Sequence, residues 1–209
     1  MVIGSDLGGM SAKAALLAGE RLEGRSKVVT SAASTAEQTA LALAHLAIET
    51  AEKAGKSMDD VQAIGIGSPG VVDSAAGNIV LWSNFHWENV PLGALVEKFT
   101  GKKTFVLNDA NAAALGEAKF GAGKQFSDSI LVTLGTGIGG GVIIGGKLFE
   151  GFRSAGTEIG HMVIRQDGEQ CTCGRRGCFE RYASARALVR LTHAEMEKNR
   201  SSAMWKYAP

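Results

Sequence analysis

One pattern occurs twice and constrains the fold more than anything else in the chain. Residues 2–6 form a short apolar stretch that runs into Leu7-Gly8-Gly9, and residues 12–18 can return as a second strand. Residues 129–134 repeat this through Gly135-Thr136-Gly137-Ile138-Gly139-Gly140, with a returning strand over 141–144. Glycine supplies 28 of the 209 residues and proline only three. The glycine share is near twice the usual ~7%, without the proline of a linker composition, so backbone work in turns is expected. Strand, glycine turn, strand, once per half, predicts two related halves facing each other across a cleft. Each turn would gather backbone N–H groups into an anion nest, and the missing side chains would let phosphate oxygens approach. Plain hairpins are the alternative. The chain has no Walker loop at the required spacing and no GxGxxG that opens a helix.

Other segments fill in an α/β pattern with a mixed sheet. Residues 25–30 suit a third strand. Ser34 or Thr35 can cap an Ala-rich helix to about Ala54, closed by Gly55. Residues 61–67 read as a buried strand and Ser68-Pro69-Gly70 as a turn. Pro91 suits the first turn of a helix to about Phe99, and residues 104–108 suit a strand. Residues 109–120 read as helix, with Gly121 past its end, and 185–199 as a last helix. The expected division is an N-terminal α/β domain over 1–110 and a C-terminal one over 111–209.

Charge and composition exclude several classes. Lys+Arg number 22 and Asp+Glu 21, a net charge of +1, so the basic face of a nucleic-acid binder is not expected. No apolar run approaches the ~18 residues of a membrane span, and no secretory signal opens the chain. A cytoplasmic protein is expected, with no membrane partner.

Two constellations carry chemistry. Asp109 stands where a strand gives way to a helix, within Leu107-Asn108-Asp109-Ala110-Asn111. A plain N-cap is one reading. The other is a carboxylate at a strand end facing the cleft, ready to accept a hydroxyl proton. The second constellation is Glu158-Ile-Gly-His161 followed by Cys171-Thr-Cys173-Gly-Arg-Arg-Gly-Cys178-Phe-Glu180. Three thiolates and one imidazole make a closed tetrahedral Zn²⁺ shell, hence a structural site, and glycines at both ends of the 173–178 loop let it wrap a metal. Free buried thiols are the alternative. Glu158 and Glu180 flank the loop, either as solvated carboxylates or as ligands of something polyhydroxylated. His45, His86 and His193 lack such partners and read as surface or packing residues, and Trp82 and Trp87 as packing near the cleft.

These stretches, together with Leu134-Gly-Thr-Gly-Ile-Gly-Gly-Gly141 and the run from Leu107 to Glu117, resemble the ROK family of sugar kinases and repressors, which includes bacterial glucokinases. The resemblance runs from Asp6 to about Ala185, with the motifs in the family's order. It implies an actin-like ATPase (ribonuclease H-like) fold, two α/β domains around a cleft, with ATP, Mg²⁺ and a hexose between them. Asp6, Gly8 and Gly9 match the first phosphate motif, and Gly135, Thr136 and Gly137 the second. Asp109 matches the catalytic base. Asn108, Asp109, Glu158, His161 and Glu180 match sugar ligands, and Asn84 and Gly67-Ser-Pro-Gly70 resemble sugar-side segments. His161, Cys171, Cys173 and Cys178 match the Zn²⁺ shell. One His161 nitrogen would bind metal while the other N–H faces sugar.

The implied reaction is phosphorylation of glucose at its 6-hydroxyl, an entry step of glycolysis, by a homodimeric enzyme. Fructose, mannose and N-acetylhexosamines are the other substrates weighed. Two departures stand out. The family's Gly-Gly-Thr is Gly8-Gly9-Met10 here, with Ser11 next. Family members also continue past residue 209, with an adenine-side glycine motif and a closing helix. A truncated, non-catalytic sugar-binding remnant is therefore the alternative function. Repressor members carry a DNA-binding domain ahead of the first phosphate motif; with Asp6 five residues in, a repressor is not expected.

Overall fold

The computed structural model describes residues 1–207, the side chain of Arg153 excepted, so the last two residues of the 111–209 span lie outside it. The first half opens with β1 (Val2–Leu7), β2 (Ser11–Ala18) and β3 (Arg21–Val29), followed by α1 (Ala36–Lys53) and β4 (Ala63–Ser68). A short antiparallel sheet comes next, β5 (Val71–Asp73), β6 (Asn78–Trp82) and β7 (Trp87–Val90). Then come α2 (Leu92–Thr100), β8 (Lys103–Asn108) and α3 (Asp109–Phe120). The main sheet has the order β3-β2-β1-β4-β8. The meander β1-β2-β3 is antiparallel, while β4 and β8 run parallel to β1. It is the expected mixed sheet.

Alternation along the strands sends Ile3, Leu16, Ile64, Ile66 and Val106 to one face, where Leu43, Leu46 and Ala47 of α1 and Leu92 and Val96 of α2 complete the core. Thr35 caps α1 in a capping box with Gln38. Gly24 has φ +64°, and a Cβ there would strike the Thr50 carbonyl of α1, so glycine lets β3 lie close to the helix. The opposite face of the sheet, with Gly4, Ala15, Gly65 and Phe105, borders an open cavity of about 1100 Å³.

The second half repeats the meander as β9 (Ser129–Leu134), β10 (Ile138–Ile144) and β11 (Lys147–Phe149). A loop region follows, then α4 (Glu180–Ala183) and α5 (Ala185–Lys198). Helix α3 lies between the two sheets. Its Ala112 faces Gly67 of β4, and its Ala110 and Ala114 face Gly139 and Gly141 of β10. Alanine against glycine permits this close double packing.

Several expectations need correction. The returning strand of the second half starts at Ile138, not Gly141. Gly139, Gly140 and Gly141 therefore belong to a strand, where Cβ atoms would meet Ala110, Ile159 and Ala114. The turn proper is Gly135-Thr136-Gly137. Pro91 is the N-cap residue of α2 rather than its first helical residue. Strands β5, β6 and β7 and helix α4 were not expected. No described helix is long and apolar enough to cross a membrane.

Candidate active site

The first glycine turn is closed by the Gly8 N–H donating to the Ser11 carbonyl at 2.9 Å. Buried Thr30, at the end of β3, fixes it further. Its hydroxyl donates to the Gly8 carbonyl at 2.7 Å and its N–H to the Met10 carbonyl at 3.1 Å. Met10 is 85% exposed and fills no part of the turn. In the second turn the Gly135 N–H donates to the Gly137 carbonyl at 3.0 Å. The Ala185 N–H, at the start of α5, donates to the Gly135 carbonyl at 2.9 Å. Thr136 is exposed at its tip. A Cβ on Gly9 or Gly135 would meet nothing within 4 Å. The protein's own packing does not demand glycine there, and the space is open to a ligand.

Asp109 is not an N-cap. Asn108 takes that role, its Oδ1 accepting from the N–H groups of Ala110 and Asn111 at 3.0 and 3.2 Å. Its Nδ2 donates to the Gly70 carbonyl at 3.1 Å, clamping the Ser68-Pro69-Gly70 turn and leaving one amide hydrogen for a ligand. Asp109 is thus the first residue of α3, its Oδ1 accepting from the Ala110 N–H at 2.8 Å. Its carboxylate reaches solvent yet is crowded by neighbouring atoms. Burial, reinforced by the charge of Asp6, pushes its pKa above the usual carboxylate value, against the pull of the Ala110 N–H. Asp6, Gly67 and Asp109 border the cavity beside the main sheet, together with Lys13, Arg25 and Lys27. Glu158, His161 and Glu180 do not line it.

Those three residues gather on the second half. His161, Cys171, Cys173 and Cys178 place their donor atoms within 4.8 Å of one another. The Cys173 and Cys178 sulfurs are 3.6 Å apart, and His161 Nδ1 is 3.7 Å from Cys171 Sγ. A tetrahedral Zn²⁺ with ~2.3 Å bonds to sulfur separates its ligands by about 3.8 Å, so the donor set fits the ion. Gly174 and Gly177 take φ +87° and +79°, which turns the loop around that point. The Arg175 backbone N–H, seconded by its side chain, lowers the Cys173 thiol to about 6, whereas burial pushes Cys171 up to about 12. Glu180 Oε1 accepts from Cys171 Sγ at 3.2 Å and lies 3.8 Å from His161 Nδ1. Its other oxygen lies beside Gly137, where a Cβ would come within 2.8 Å. Glu180 therefore links the cysteine cluster to the second glycine turn. Glu158 is exposed.

Asn84 sits exposed on the 3₁₀ turn Ser83–Phe85. Buried Trp82, Phe85 and Trp87 hold that turn, Trp82 stacking on Phe85 at 3.9 Å and meeting Trp87 edge-on at 5.4 Å. His45 and His86 are exposed.

The ROK family model matches residues 2–208. The chain belongs to the ROK family. It is 47% identical over 146 residues to the glucokinase of Thermotoga maritima, a match covering 69% of this chain and 46% of that protein. It is 39% identical over 141 residues to the xylose repressor of Caldicellulosiruptor bescii, covering 68% of this chain and 35% of that protein. The crystal structure of a ROK family glucokinase from Streptomyces griseus, in complex with glucose and AMPPNP, superposes with a TM-score of 0.81 at 41% identity. That match covers 95% of this chain and 62% of the other. The matched stretch of this ROK chain thus spans less than half the length of the two sequence relatives, and the chain has the actin-like ATPase fold of its structural neighbours.

Proposed function

We propose that the protein transfers the γ-phosphoryl group of ATP to a hydroxyl of a hexose, with glucose and its 6-hydroxyl the first choice. The observation that carries this reading is the place of Asp109: a carboxylate opening α3, partly desolvated, on the helix that joins the two glycine-turn halves. Asp109 accepts the hydroxyl proton as the sugar oxygen bonds to the γ-phosphorus. The bond from that phosphorus to the β–γ bridging oxygen breaks, and ADP leaves. General-base help of this kind is typically worth ~10²–10⁴ in rate. The backbone N–H groups of Gly9 and Gly137, with the Thr136 hydroxyl, hold the phosphate oxygens, while the Gly8 and Gly135 N–H groups close the two turns, because phosphoryl transfer is mostly positioning and electrostatics.

Asn108, Glu158, His161 and Glu180 hydrogen-bond the sugar hydroxyls, and Asn84 borders the sugar from the first half. His161, Cys171, Cys173 and Cys178 would hold Zn²⁺, which supplies rigidity to the loop that carries the sugar ligands. Mg²⁺ would come with the nucleotide and neutralise phosphate charge, with the Asp6 carboxylate two residues before Gly8 of the first turn. The relatives that support the reading are the glucokinases of Thermotoga and Streptomyces.

Non-catalytic sugar binding is the second reading, favoured by the match to a xylose repressor. An ATP-dependent phosphorylation assay over glucose, fructose, mannose, N-acetylglucosamine and xylose, on this chain and on a longer form of the protein, separates the two. Phosphorylated hexose from either form, abolished by Asp109→Asn, is the expected result. Sugar binding without transfer in both forms would leave the second reading.

A further inference from the structure

Two buried polar side chains outside the expected site set meet beside it. Asn111, 2% exposed, lies in α3 two residues after Asp109, and Thr157, 8% exposed, immediately precedes Glu158. The Thr157 hydroxyl donates to Asn111 Oδ1 at 3.3 Å. The loop around Thr157 is tightly constrained on both sides. The Gly156 N–H donates to the Glu150 carbonyl at 2.8 Å, and the Gly151 and Gly156 backbones press together. The Ile159 N–H donates to the Thr157 carbonyl at 2.8 Å, and the Ile159 side chain lies over Gly140. Gly160 backs onto the Ile138 carbonyl.

We propose that the Thr157–Asn111 hydrogen bond is a positioning pair that fixes the separation of Asp109 and Glu158, and through it the fit of the hexose. The proposal rests on the sugar-kinase reading above. A helical turn is stiff, so Asn111 travels with Asp109. Thr157 and Glu158 are adjacent on a loop with little slack. Removing the hydroxyl leaves Asn111 Oδ1 without this partner in a buried place, and loop or side chain must shift to compensate. Misplacement of about 1 Å in such a site can cost up to ~10²-fold.

The test is calorimetric titration of glucose into the unsubstituted chain, Thr157→Val, Thr157→Cys and Thr157→Ser, with a melting curve for each. Valine keeps the shape without the hydroxyl, cysteine offers a weaker donor, and serine restores the bond. Affinity about tenfold weaker in Thr157→Val, intermediate in Thr157→Cys and within about twofold of the original in Thr157→Ser is expected. If Thr157→Val fails to fold, the ordering of the cysteine and serine variants decides. Unchanged affinity with a lowered melting temperature would show a purely structural bond and overturn the proposal, leaving the kinase reading intact. Absence of hexose binding in the unsubstituted chain would overturn both.

Discussion

With Asp109 as the proposed proton acceptor, its raised pKa has a direct consequence. A proton acceptor must be ionised, so turnover falls as pH drops through that pKa, above the ordinary ~3.9 of an aspartate. Asp6 contributes through its negative charge, so Asp6→Asn should move the acid limb of the kcat profile to lower pH. A limb that stays in place in that variant would remove Asp6 as a cause. Asp109 and the cysteine cluster are legible in the sequence because their signals are local: a strand–helix junction, and ligands within eighteen positions. Thr30, Asn111 and Thr157 are not, because their partners lie 22 and 46 residues away and a hydroxyl or amide carries no periodic signature. The N-cap role passed to Asn108 for a similar reason. Two capping residues in succession look alike until backbone angles choose between them.

At the scale of elements, the run Gly135 to Gly141 divides its work. Its first three residues shape a turn, Gly139 and Gly141 let α3 pack on β10, and Gly140 makes room for Ile159. Gly141→Ala should therefore destabilise the protein by about 1–3 kcal/mol, because its Cβ would collide with Ala114 and the Ala110 carbonyl. Urea unfolding measures this, and an unchanged midpoint would mean that α3 can move aside. The cysteine loop allows a second test. The purified protein should hold one Zn²⁺ per chain under reducing conditions by elemental analysis. Cys173→Ser should weaken glucose binding along with metal binding, since His161 loses its anchor. Metal loss with unchanged glucose affinity would separate the loop from the sugar site. Strands β5 to β7 escaped the sequence reading because they are three to five residues long and their burial does not alternate cleanly. An aromatic cluster, not a periodic face, holds them.

Over the whole molecule, one face of the main sheet is open, with Phe105 54% exposed over its glycine floor. The second half also presents Ile130, Val132 and Leu134 on β9 and Leu188, Val189 and Leu191 on α5 to solvent. Apolar surface of this extent favours association, so sedimentation of this chain should show concentration-dependent assembly that a longer form lacks. A monomer at all concentrations would contradict that expectation. The repeated strand–glycine turn–strand made the start of two separate sheets legible, since each copy opens one.

The residues proposed for the sugar are all present, as are both glycine turns, whereas the matched stretches cover 46% and 35% of the two relatives. On the proposed function, this chain carries the hexose site and only the phosphate contacts of the nucleotide site. Calorimetry with glucose and with AMPPNP, on this chain and on a longer form, tests it most directly. Saturable glucose binding in both, with AMPPNP bound far more weakly by this chain than by the longer form, is the predicted result. No glucose binding by this chain, or equal AMPPNP affinity in the two forms, would contradict it.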